Sequence, residues 1–175
     1  MPIPASAAIH LRDKFVQSLT MESQTTIKVF KEIPDAKWDY KPHAKSMAFG
    51  ELAWHTASAE RFFVHSLLAG KFEMGAPIPG VPKEGPKSSG ALVLAYEQLT
   101  KNNITDLKEA DGEKLGKDIA FFNIMTLPAI TYMQLALNHS IHHRGQLSVY
   151  LRLVDAKVPS IYGPSADDNP FKDMK

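Results

Sequence analysis

The chain has 175 residues, 44% apolar and 22% charged, which suits one soluble domain able to bury its own core. It has no cysteine, so disulfides and thiolate ligands are excluded and any metal must be held by His, Asp or Glu. Net charge is +1 with Lys and Arg interspersed among Asp and Glu, and this lack of a basic stripe argues against nucleic-acid or anionic-membrane binding.

The opening MPIPASAAIHLRDKF lacks the basic-then-apolar order of a signal peptide, and no apolar run approaches the roughly 18–20 residues of a membrane span. The expected location is cytoplasmic. A first helix is predicted from Ser6 to Ile33, with Leu11, Phe15, Leu19, Ile27, Phe30 and Ile33 at helical spacing. Glu22, Ser23 and Thr26 interrupt that stripe, either as a polar face drifting across it or as a pocket wall. Pro34 ends the helix. In the loop that follows, Trp38 and Tyr40 are expected to pin the chain to the body, with His43 exposed.

A second helix is predicted from Ser46, as N-cap, to Gly70, as C-cap, with Leu52, His55, Ala59, Phe62 and Ser66 on one face. Between Gly75 and Gly90 lie four prolines and four glycines, a composition that neither helix nor strand survives. A loop of this length is functional or mobile. The third helix runs from Ser88 or Ser89 to Ala110, on a stripe of Leu92, Tyr96, Leu99, Asn103 and Leu107. DIAFFNIM reads as an irregular extended stretch. The fourth helix is expected to have Thr126 as N-cap and Pro128 in its first turn, and to reach Ala156. The whole is an all-α four-helix bundle in a single domain, with its core over about residues 8–157 and an irregular tail at 158–175.

NHSIHHRGQ holds three of the seven histidines. His139 and His143 are four apart, about 40° from eclipsed on a helix, so their rings share one face a turn apart. The stripe Tyr132, Leu135, His139, His143, Leu147 and Tyr150 turns His143 inward and leaves His142 at the rim. The spacing is that of the two-histidine helix of zinc proteases, but Ser140 stands where their glutamate belongs, so a protease is excluded. Catalytic centres of the zinc type commonly use three protein ligands. His55 is the best third, whereas His65 lies about 80° off that face and His10 near a frayed end. The opposing reading is a set of core histidines with satisfied hydrogen bonds, and no buried acid network that would satisfy them is legible in the sequence.

LAWHTASAERFF followed by NHSIHHRGQLSVYLR resembles the DinB-like superfamily, which includes the YfiT-type metalloenzymes. IPDAKWDYKPHAKSMAFGELAWH is similar to that family's first loop and second-helix entry, and IYGPSADD to its tails; the likeness spans Leu11 to Pro164. The resemblance implies an up-down-down-up bundle, a divalent metal (nickel or zinc) on His55, His139 and His143, and a homodimer. It also implies a small-molecule substrate and, in several relatives, transfer of a low-molecular-weight thiol such as bacillithiol or mycothiol to an electrophile. Glu51, Gln146 and Tyr132 are candidates to orient the rings, with Glu22 and Asn138 as further neighbours. Arg144 is read as a cap or ion-pair residue, and Trp54 and Phe62 as pocket or core. The leading expectation is therefore a metal-dependent thiol S-transferase. A metal-assisted hydrolase and a non-catalytic metal-binding stress-response protein are the alternatives.

Overall fold

The structure, a computed structural model, describes residues 1–172; the last three residues of the expected irregular tail lie outside the described residues. Four long helices carry the fold: α1 (Ala5–Lys31), α2 (Phe49–Ala69), α3 (Ser89–Glu109) and, after a five-residue α4 (Gly112–Gly116) and a hairpin, α5 (Tyr132–Leu153). The hairpin pairs β1 (Asp118–Phe121) with β2 (Met125–Pro128) in antiparallel register. No helix among the described residues is long and apolar enough to cross a membrane.

Two apolar clusters show how the helices run. Val29 and Phe30 at the end of α1 meet Phe49, Leu52 and Ala53 at the start of α2, Leu92 and Tyr96 at the start of α3, and Leu147 and Leu151 at the end of α5. In the other cluster, Val16 and Leu19 of α1 meet Phe63 and Leu67 of late α2, Leu107 of late α3, and Met133 and Ala136 of early α5. Thus α2 and α3 run together, against α1 and α5.

Three expected boundaries are corrected. The fourth long helix begins at Tyr132, not at Thr126. Thr126 and Pro128 belong to β2, where Thr126 faces Ala120, and Pro128 ends the strand, a place where its missing N–H is harmless. A 3-10 turn at Ala129–Thr131 then leads into α5, and the Tyr132 hydroxyl donates to the Ile119 carbonyl at 3.0 Å, tying helix to hairpin. The stretch expected to be irregular thus contains paired strands. Nor does α2 start at Ser46. The Phe49 and Gly50 amides bond back to the Tyr40 and Trp38 carbonyls, both at 2.9 Å, and the chain turns at residues 42–46 before entering the helix after Ala48. Trp38 packs directly on Gly50, where any Cβ would collide with the indole.

The break in the α1 stripe holds a polar cluster, and Glu22 also stands at the wall of a cavity shared with Lys14, Phe15 and Gln134. Ser23 and Thr26 are buried, and Glu22 is ion-paired at 2.7 Å to Arg144, itself only 1% exposed. Arg144 also donates to the Glu22 carbonyl and to Thr26 Oγ1, at 3.1 and 3.3 Å. The tail folds back over this cluster: Tyr162 bonds both Arg144 and Glu22, and Asp167 accepts from Arg152 and from the Val158 amide. An isolated buried arginine would be expensive, and here its donors have acceptors.

The long loop is fastened as well. Arg61, buried on α2, donates from Nε to the Pro79 carbonyl at 3.0 Å. Its other arm reaches Asp106 and Asn103 of α3, at 2.6 and 3.2 Å. At the far end, Gly85 lies against the Trp54 ring, too close for a side chain.

Candidate metal centre and the cavity above it

α2 and α5 bring His55, His139 and His143 together, and these are the one group of three among the described residues that could hold a metal ion. The Nε2 atoms of His55 and His139 are 3.2 Å apart, and those of His139 and His143 are 3.1 Å apart. Nitrogens around a tetrahedral zinc, at Zn–N of about 2.0–2.1 Å, lie roughly 3.3–3.4 Å from each other. Three imidazoles are also the borderline donor set that zinc and nickel accept. The residues therefore fit a divalent ion.

Protonation points the same way. His143 Nδ1 is 2.7 Å from Gln146 Oε1, so the ring donates its proton outward and turns a lone pair inward from Nε2. Burial, reinforced by the charges of His143, His55 and His142, lowers the His139 pKa to about 4, and burial followed by His143 lowers that of His55. Neutral rings cannot serve both short contacts with protons, because one hydrogen on His139 Nε2 satisfies one neighbour and leaves the other contact unbridged. A cation facing three lone pairs resolves the conflict. His139 Nδ1 is buried with no hydrogen-bond partner among the described residues, so packing against Phe63, with centroids 5.9 Å apart, holds that ring.

Gln146 is the orienting candidate that reaches a histidine. Glu51 is turned away: its carboxylate accepts the Ala48 amide at 2.8 Å and caps α2. Tyr132 serves the hairpin, and the Asn138 side chain accepts from Gln134. His142, His43 and His10 are exposed. His65 lines a separate small depression beside Lys71.

Above His55 and His139 opens a cavity of about 460 Å³. Ala59, Phe62 and Phe63 wall it from α2, and the hairpin turn adds Phe121 and Phe122. Met74, Ile78 and Val81 of the long loop close the remaining side. The inward stripe His55–Ala59–Phe62 faces this cavity, so Phe62 takes the pocket reading, and Trp54 does not line it. Sequence reasoning missed the hairpin wall and the anchoring Arg61. The alternation of DIAF with MTLP, and an arginine within an apolar helix, were the available signals.

Deeper in the bundle, away from the ring contacts, Glu60 is buried and receives the Tyr96 hydroxyl at 3.0 Å. Burial raises its pKa to about 7, against the pull of its hydrogen bonds and of Arg144. This buried acid was not anticipated, and no hydrogen bond links it to the histidines among the described residues.

Comparison with known proteins places this architecture. The DinB family model matches residues 5–170. YrdA of Bacillus subtilis (strain 168), described as uncharacterized, is 23% identical over 156 residues, covering 89% of this chain and 90% of its own. YjoA of the same organism, likewise described, is 26% identical over 144 residues, with 80% and 88% covered. A DinB-like protein from Bacillus cereus ATCC 10987 superposes with a TM-score of 0.70 at 24% identity, over 86% of this chain and 97% of that one. The crystal structure of YjoA gives 0.67 at 22%, over 89% and 98%. With the family model matching residues 5–170, nearly the full length, this chain belongs to the DinB family.

Proposed function

We propose that the protein is a divalent-metal-dependent enzyme, with nickel or zinc on His55, His139 and His143, that transfers a low-molecular-weight thiol to a small electrophile. The observation that carries this reading is the convergence of three Nε2 atoms, 3.1–3.2 Å apart in the two close pairs, two of them on histidines that line a cavity large enough for a small molecule. When bound, the ion supplies Lewis acidity that lowers the pKa of a thiol or water beside it.

The chain's own residues prepare the reaction. Burial keeps His55 and His139 neutral near pH 7, so their lone pairs are free. Gln146 Oε1 holds the His143 proton on Nδ1. Phe62, Phe63, Phe121 and Phe122 give the site an apolar wall, which strengthens charge interactions beside it. The thiolate sulfur forms the new S–C bond, the leaving group departs with its electron pair, and the thiol proton passes to solvent.

The test is conjugation of monochlorobimane by tag-free, metal-loaded protein with bacillithiol, mycothiol and glutathione in parallel. The proposal predicts acceleration with at least one thiol, lost in His139→Ala at unchanged helicity. Rates equal to the uncatalysed reaction with every thiol contradict transfer. Metal-dependent hydrolysis of esters without thiol would identify a hydrolase instead.

A further inference from the structure

The cavity wall has a chemical bias that the metal ligands do not explain. None of the lining residues is Lys, Arg, Asp or Glu. Apart from the two histidines of the floor, the one polar side chain in the lining is Ser58, and its hydroxyl donates to the Trp54 carbonyl at 2.8 Å within the helix. A charged ligand body would lose its hydration here without receiving a counter-charge, a large penalty in free energy. Of the charged residues close in sequence to the wall, Lys71 and Glu73 pair with each other at 2.8 Å.

A strained backbone position supports the same wall. Phe122 has φ of 49°, in the left-handed region, at the first central position of the hairpin turn closed by Ile124 N to Phe121 O at 3.1 Å. Hairpins ordinarily place glycine, asparagine or aspartate there, and a bulky side chain is an outlier. The strain sets the Phe122 ring beside Phe121, with centroids 4.8 Å apart, in the cavity wall. Strain held at a ligand-facing position points to function.

We infer that the electrophile brought to the histidines is neutral and predominantly apolar, with an aromatic or compact alkyl body lying among the four phenylalanines and a single polar group directed at His55 and His139. This assigns the electrophile's chemical class and rests on the reading of the histidines as the reactive centre. Electrophiles that carry a carboxylate, sulfonate or phosphate on the body lying against these phenylalanines are selected against by the wall itself. The long loop is then part of the specificity surface, held over the ligand through Arg61 and Pro79.

The probe pair is N-phenyl-1-naphthylamine and its sulfonate, 8-anilinonaphthalene-1-sulfonate, which share one aromatic skeleton and differ by one charge. Both are titrated by fluorescence into metal-free and zinc-loaded protein. The neutral probe is expected to bind at least tenfold more tightly than the sulfonate. Ala59→Phe, which puts a further ring into the cavity, is expected to weaken the neutral probe at least tenfold. Phe122→Gly relaxes the turn and removes part of the wall, so affinity is expected to fall several-fold while Tm holds or rises. Equal affinity for the two probes overturns the inference. So does unchanged binding in Ala59→Phe with Tm retained, or a lower Tm with unchanged binding in Phe122→Gly. Selective binding of the neutral probe by metal-free protein sustains the cavity assignment even if zinc is not taken up, and that second failure would count against the metal centre alone.

Discussion

Two side chains outside the triad act on different properties, Gln146 on a ligand and Glu60 on the fold. Gln146 is on the surface, yet it decides which His143 nitrogen carries the proton. Gln146→Leu removes that acceptor, and losing such a partner typically weakens metal affinity by about 10–100-fold. Competition against a chromophoric zinc chelator measures it; undiminished affinity would show that the His143 tautomer is fixed some other way. Glu60 has its effect on stability. Its carboxyl titrates near 4.5 when exposed and near 7 in the fold, because burial disfavours the charge. Between those values the folded state holds the extra proton, so this contribution is complete below pH 4.5 and drains away as pH rises through 7. The span corresponds to a loss on the order of 3 kcal/mol. Urea unfolding of the native protein and of Glu60→Gln at pH 5 and pH 8 isolates it, because the buried His55 and His139 favour the higher pH equally in both proteins; between the two pH values the native protein should lose that much stability relative to the variant. Parallel slopes would remove Glu60 as the cause.

At the scale of elements, the connections position the site as much as the helices do. The segment before α2 is locked by Trp38 on Gly50, so Gly50→Ala must displace the indole. The expected cost is about 1–3 kcal/mol, typical of overpacking, with a red-shifted tryptophan emission. Denaturant unfolding and fluorescence together check it, and native-like values for both would mean that Trp38 can move aside freely. The long loop depends on Arg61. In Arg61→Met the Pro79 carbonyl loses its donor and α3 its tie to the loop. Limited proteolysis should then cut within residues 71–88 faster than in the native protein, at unchanged helical circular dichroism. Unaltered cleavage would show that the Gly85–Trp54 contact alone suffices.

For the molecule as a whole, the helical stripes announced four long helices, because apolar residues at a period near 3.6 report burial directly. Their pairing had to come from the structure, as did the partner of Glu22, Ser23 and Thr26. Arg144 lies 118 residues beyond Thr26, and a single sequence carries no signal of such a contact. His139 and His143 were legible as a pair because helix geometry fixes their spacing. His55 was legible as an inward residue, but its meeting with them, 84 positions away, depends on how α2 packs on α5. The hairpin was misread in part because Pro128 is equally at home at a strand end and in a first helical turn. The cavity was hidden for a related reason: its wall draws on a helix, a loop and a turn that share no common period.

Everything functional in this account descends from the three imidazoles acting as one ligand set. The direct measurement is calorimetric titration of zinc and nickel into tag-free, metal-free protein, alongside His55→Ala, His139→Ala and His143→Ala. One ion per chain, with affinity reduced at least a hundredfold in each variant while the helical spectrum is retained, is the predicted result. Absence of stoichiometric binding, or binding that survives all three substitutions, would contradict it and return the histidines to a packing role.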